Sequence, residues 1–267
     1  KEKKIYKRLY NLLSHKFFNV NKSFFTNKIC LDAGCGMNAN ATYNFLRMGA
    51  KFVHACDINS KAVKFANNIL KKKYKGKYKI RKSNLTNLSY KKNYFDFVHC
   101  AGAVHHTVNY KKAIKELCRV VKKEGYIYIE AYGKGGIIRD FTNILRKKYK
   151  DDNSFALLVN RLNKKKILDF CKFSLGRDIN KIANLIDNDL ILTIKDRICS
   201  PIYSEFDDKE IVKILQKNNF YKIKRLKRNP EFTNIRKYLA PFYFHYNHKY
   251  SKFLYGSGIP CIYAKKK

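Results

Sequence analysis

A short apolar run that breaks on two spaced glycines constrains this chain more than any other segment. In ICLDAGCGMNANA, residues 29–41, Ile29, Cys30 and Leu31 predict a buried strand, too brief for a helix. Gly34 and Gly36 let the backbone turn sharply and approach a ligand with no Cβ in the way. Residues 38–48 predict a helix stopped by Gly49, so the glycines fall where a parallel strand feeds a helix N-terminus. A second strand, KFVHAC, ends at Asp57, 21 residues past Gly36. An acid there can accept two hydrogen bonds from a ribose diol. The pattern predicts a ligand that contains a nucleoside.

Two such ligands have to be separated. Gly34, Gly36 and Ala39 satisfy the loose dinucleotide fingerprint, and Asp57 would suit the ribose of NAD. That ligand would lay its pyrophosphate over the turn, against the carboxylate of Asp32. S-adenosylmethionine carries an ammonium and a sulfonium, which Asp32 suits directly or through water. The pattern apolar-apolar-Asp-x-Gly-x-Gly followed by an acid ending strand two resembles the class I S-adenosylmethionine-dependent methyltransferases. Asn38 stands where their third glycine usually does, and Asn tolerates unusual backbone angles better than most residues.

The next hundred or so residues carry the resemblance onward in order. Asn59 or Ser60 can cap a helix with Ala62, Val63, Ala66, Ile69 and Leu70 at helical spacing. A third strand, residues 78–82, leads into SNLTNLSY, where the family usually has an acid that reads the adenine amino group. Asn84 holds that position and offers an uncharged oxygen. A fourth strand, FDFVHC, runs into AGAVHHTVNYKKAIKELCRVVKKEGYIYIEAYG, which is similar to the family's region of the His-His-Thr element and fifth strand. Gly125 is expected to end the turn into that strand. The resemblance covers residues 28–133. It implies an α/β, Rossmann-like, doubly wound seven-stranded sheet, with S-adenosyl-L-methionine as cofactor. It also implies donor contacts from Asp32, Gly34, Cys35, Gly36, Asp57, Ile58, Asn84, Leu85, Ala101 and Gly102.

Beyond the core, residues 1–27 are expected to form an N-terminal helical segment. Residues 134–200 follow strand five as a helical insertion. Three apolar stripes run through it: Ile138, Phe141, Ile144 and Leu145; Phe155, Leu158, Val159 and Leu162; and Ile179, Ile182, Ala183 and Ile186. Core packing is the default role of such stripes. A lid role follows from position, because ligands bind at the carboxyl ends of strands in doubly wound sheets. Residues 201–267 should supply the last helix, strand six, an aromatic-rich insertion around Tyr243, and an antiparallel strand seven.

Composition bounds the partners. The formal net charge of +38 invites a nucleic-acid reading, but Lys outnumbers Arg roughly four to one and the lysines are spread along the chain. That residue set, rich in Asn, Ile, Tyr and Phe, is what an AT-rich genome produces, so nucleic acid is not favoured. The eight cysteines form no CxxC pair and predict reduced thiols in a cytoplasmic protein, with no metal site. No apolar run reaches about 18 residues, so no membrane insertion is expected. The chain opens on Lys1 without Met, which implies residues missing before it.

Methyl transfer from a sulfonium is an in-line displacement that needs alignment more than machinery. A base is needed only where the nucleophile must lose a proton. His106 and then His105, just after strand four, are the candidates, since His titrates near neutral pH. Tyr132 and Tyr243 are candidate acceptor-pocket residues. The Asn/Asp-Pro-Pro-aromatic motif of base amino methylation and the Pro-Cys nucleophile of cytosine C5 methylation are both absent. The expected activity is methyl transfer to a small-molecule acceptor. The alternatives are an RNA methyltransferase and a nonenzymatic protein that binds S-adenosylmethionine.

Overall fold

The structure is a computed structural model and describes residues 13–71, 74–175, 180–227 and 234–267. Residues 1–12 of the expected N-terminal segment, and Ile179 of the third stripe, lie outside the described residues. Seven strands form one sheet: β1 (Ile29–Ala33), β2 (Phe52–Asp57), β3 (Tyr78–Lys82), β4 (Phe95–Ala101), β5 (Val121–Glu130), β6 (Phe220–Arg225) and β7 (Cys261–Lys266). Their order is β3-β2-β1-β4-β5-β7-β6, with β7 antiparallel to both β5 and β6 and the first five strands parallel. Burial on both faces explains why β1 and β4 are near-continuous apolar runs in the sequence.

The chain divides into two compact units. One comprises the described residues of 1–133, 202–228 and 259–267; the other comprises those of 134–201 and 229–258. In the first unit, one side of the sheet holds Leu31, Val98, Ile114, Leu117, Ile127, Ile211 and Leu215 in a common core. On the other side Phe97 meets the rings of Phe18, Phe25 and Phe45 edge-on or tilted, at 5.1–5.4 Å between centroids. The helices begin where the sequence offers caps. Asn59 accepts the N–H groups of Lys61 and Ala62 at 2.9 and 3.3 Å to start Ser60–Leu70, and Asn109 accepts that of Lys112 at 3.0 Å to start Tyr110–Val120. Gly125 falls inside β5 and not in a turn before it, because β5 follows the preceding helix at once.

The second unit contains the helices Ile137–Asp151, Asn153–Asn160, Lys164–Leu175 and Asn188–Cys199, with Arg236–Phe244 and Lys249–Tyr255 from the aromatic-rich insertion. Its first helix departs from the expected stripe: Arg139, Thr142 and Arg146 are buried, Ile138 and Leu145 are half-buried, and Phe141 and Ile144 are exposed. Arg146 gives the reason, since its guanidinium donates to the carbonyls of Arg197 and Ser200 at 2.7 and 2.8 Å. Those carbonyls end a neighbouring helix and need donors, so the arginine goes inward. Among the described residues no helix is long and apolar enough to cross a membrane, and all eight cysteines are free thiols.

Candidate active site

The carboxyl ends of β1, β2 and β4 open on a cavity of about 530 Å³, where strand order reverses between β1 and β4. Gly34, Gly36, Asp57, Ile58, Asn84, Leu85 and Gly102 line it, as does His106. Ser83, Thr86, Ala103, Thr107, Val108, Asn109, Lys112 and Ile202 complete the wall.

Main-chain contacts shape the turn after β1. The N–H groups of Gly34 and Cys35 both donate to the Cys56 carbonyl, at 2.8 and 3.0 Å, which ties the turn to the end of β2. Gly34 has φ +76°, and a Cβ there would lie 2.2 Å from that of Ala103. Gly36 has φ +62° with no heavy atom within 4 Å of where a Cβ would stand, so it borders open space. The left-handed residue that launches the helix Asn40–Arg47 is Ala39, at φ 43°, and not Asn38.

Asp57 is held from two sides. Its Oδ2 accepts the Gly36 N–H at 3.0 Å and its Oδ1 the Asn59 N–H at 2.8 Å. Each oxygen keeps a lone pair beyond those bonds. Beside it Ile58 is 64% exposed, an apolar surface on the cavity wall. Asn84 turns its side-chain oxygen back on its own loop, accepting the N–H and the hydroxyl of Thr86, both at 3.0 Å. That leaves the amide N–H₂ as the group it can offer outward. The loop is pinned from behind by Arg119, which donates to the carbonyls of Leu88 and Tyr90, each at 2.8 Å. The same guanidinium holds the Glu116 carboxyl below its usual range, and Glu116 accepts the Leu88 N–H at 2.9 Å.

Asp32 is buried and is not among the residues that line the cavity. Its Oδ2 accepts the backbone N–H and the hydroxyl of Thr42, at 2.9 and 2.7 Å, and its Oδ1 lies 3.1 Å from His99 Nδ1. The imidazole of His99 stacks on Tyr128 at 5.4 Å. Asp32 thus fastens the first turn of the helix Asn40–Arg47 to β1 and β4. Cys35 and Ala101 likewise stand next to the cavity in sequence without lining it. Burial raises the Cys35 thiol pKa far above its ordinary value, so it stays protonated.

The two histidines differ. His106 lines the cavity and its Nδ1 lies 2.9 Å from the Ile202 carbonyl. A carbonyl can only accept, so Nδ1 carries the proton and the lone pair of the neutral ring is on Nε2. His105 is buried, its ring 4.1 Å from Tyr132 and 4.2 Å from His106. Tyr132 and Tyr203 face each other at 5.7 Å. Tyr243 belongs to the second unit, where its ring packs on Tyr255 at 4.1 Å and takes the Arg197 guanidinium at 5.4 Å.

Sequence reasoning did not find Thr107, Asn109 and Lys112, although they follow the His pair directly. It could not have found Ile202, 96 residues from His106. Hydrogen bonds from Ser204 N–H to the His105 carbonyl (2.8 Å) and from Phe206 N–H to the Tyr132 carbonyl (3.0 Å) bring that segment in.

Residues 31–129 match the sequence profile of a family described as a methyltransferase domain. The uncharacterized protein MJ0638 of Methanocaldococcus jannaschii is 32% identical over 130 residues, which cover 49% of this chain and 50% of that protein. The chain therefore matches about half the length of that curated relative. PKMT2 from Rickettsia typhi has a similar structure, with TM-score 0.60 and 15% identity over 97% of this chain and 52% of that one. Magnesium protoporphyrin IX methyltransferase from Synechocystis PCC 6803, solved with bound S-adenosylhomocysteine, gives TM-score 0.52 and 13% identity over 98% of this chain and 84% of that one. At these identities the structural likenesses establish the fold. Residues 31–129 thus carry a methyltransferase domain, and the strand order is that of the class I S-adenosylmethionine-dependent methyltransferase fold.

Proposed function

We propose that the chain is a member of that class and transfers a methyl group from S-adenosylmethionine to a small-molecule acceptor. One observation carries the reading. Both oxygens of Asp57 are anchored by main-chain N–H groups on the wall of an open cavity, with lone pairs to spare. A carboxylate fixed in that way is preorganised to accept two vicinal hydroxyls, so ordering it costs nothing at binding. Gly36 leaves the space beside it open, and Ile58 supplies the apolar contact that a purine face requires. The residues present therefore fit the donor.

In that reading Asp57 holds the ribose and Ile58 covers the base. Asn84, its oxygen occupied by Thr86, offers an N–H to a ring nitrogen of the adenine. S-adenosylmethionine supplies an activated methyl group. His106, its tautomer set by Ile202, receives or orients the proton of an acceptor hydroxyl, thiol or amine at Nε2. Asp32 acts from behind, by fixing Thr42 and the start of the helix that closes the turn. Acceptor selection is assigned to the insertion, residues 137–200, on its position in the chain after β5.

Calorimetry tests the donor: S-adenosylhomocysteine should bind and NAD should not, and the reverse result overturns the assignment. Incubating the protein with labelled S-adenosylmethionine and a metabolite extract tests the acceptor. Label that enters one RNA position at physiological salt in place of any metabolite selects the RNA methyltransferase. Donor binding with no transfer to either selects a nonenzymatic binding protein. Replacing residues 137–200 by a short linker should spare donor binding and abolish transfer.

A further inference from the structure

The second unit turns an unusual share of its apolar side chains outward. On the helix Ile137–Asp151, Ile137, Phe141 and Ile144 share one face and are exposed, while Arg139 and Arg146 of the opposite face are buried. The next two helices repeat the display. Leu157 and Leu158 of Asn153–Asn160 are 49% and 61% exposed, and Phe170 and Phe173 of Lys164–Leu175 are 68% and 89% exposed. Between these two helices runs a groove of about 580 Å³ walled by Leu157, Leu158, Leu162, Ile167 and Phe170. Surfaces of this kind on soluble chains mark interaction sites.

Charge identifies the occupant. Arg161 and Lys166 are themselves part of the groove, Lys164 and Lys165 adjoin it, and Lys172 lies further along the same helix against a single acid, Asp169. A second copy seated on this face would bring like charges together, which opposes an isologous dimer. A nucleic acid would engage the cations and leave Leu158, Phe170 and Phe173 without a partner. A bilayer rich in acidic phospholipid satisfies both sets, its acyl region taking the apolar side chains and its phosphates the cations. We propose that the face formed by Asn153–Asn160 and Lys164–Leu175 is a peripheral docking surface for anionic membranes.

Flotation of the full chain with phosphatidylcholine vesicles, with and without phosphatidylglycerol, tests this. The wild type should float only with the anionic vesicles, and less as salt is raised. The exposed triple variant Leu158→Ser, Phe170→Ser, Phe173→Ser should keep its circular dichroism and lose flotation at least about tenfold. The variant Lys164→Gln, Lys165→Gln, Lys166→Gln should lose it as well. Wild-type protein that stays with the unbound fraction on both vesicles overturns the proposal. Serine variants that float as well as wild type overturn it too, by reducing the attraction to charge alone. A wild-type dimer that the serine variant abolishes, with no flotation, assigns the face to a second copy instead.

Discussion

The Gly36 N–H donates to the Asp57 carboxylate at 3.0 Å, joining the turn after β1 to the end of β2 across 21 residues. The glycine that opens the cavity and the acid on its wall therefore depend on one another. The bond aims one carboxylate oxygen, and the Asn59 N–H aims the other.

Removing the carboxylate should cost the donor its ribose contacts. Asp57→Ala is expected to weaken S-adenosylhomocysteine by about 1.5–3 kcal/mol for each charge-assisted bond lost, before water replaces it. Asp57→Asn keeps the shape but presents an N–H₂ where one main-chain donor already points, so it should recover little. Isothermal calorimetry reads both, and an Asp57→Ala protein with wild-type affinity would end the ribose assignment.

The two glycines of the turn should respond differently to alanine. At Gly34 the new Cβ would lie 2.2 Å from that of Ala103, in addition to the strain of φ +76°. Left-handed strain costs roughly 1–2 kcal/mol and overpacking about 1–3 kcal/mol more. At Gly36 the strain alone applies, since nothing stands within 4 Å, but the methyl would intrude on the cavity. Urea denaturation should therefore rank Gly34→Ala as the less stable protein. Gly36→Ala should keep more of its stability while losing donor affinity. Equal stabilities would show that the clash relaxes freely.

A half-buried histidine should make stability fall in mild acid. His54 on β2 lies among Phe52, Tyr90, Tyr94 and Phe95, with centroids 4.8–5.6 Å away. Burial first, then Arg81 and Lys79, lower its pKa from 6.5 to about 4. The unfolded chain binds this proton below about pH 6.5 while the folded protein refuses it until about pH 4. Its contribution to stability is thus full above the upper value and lost as pH falls through that window. Thermal melts across the window should show a slope that His54→Phe flattens. An unchanged slope would place the effect elsewhere.

How much of this the sequence disclosed follows from what each feature depends on. β1, β4 and the glycine turn were legible because a strand buried on both faces is apolar at nearly every position and a tight turn demands glycine. Asp57 was legible because its place at a strand end follows from the same count. The use of Asp32 was not, since its partners Thr42 and His99 come from a helix and from β4, 10 and 67 residues away. Asn84 was located, but its Asx turn with Thr86 had no sign beyond the short spacing. The stripe Phe141–Ile144 was read inward because periodicity marks a face without saying which way it points. Arg146, needed by the carbonyls of Arg197 and Ser200, decided the direction.

His106 joins β4's end to residue 202 and also faces the cavity, so its two roles need separating. His106→Ala removes the 2.9 Å bond to the Ile202 carbonyl together with the ring. His106→Asn can still donate an amide N–H toward that carbonyl while giving up the basic Nε2. If the imidazole accepts the acceptor's proton, both variants should keep donor affinity and melting temperature near wild type and lower turnover. A His106→Asn enzyme with wild-type turnover, paired with a His106→Ala enzyme that melts lower, would reduce the residue to a strut for the segment carrying Ile202 and Tyr203.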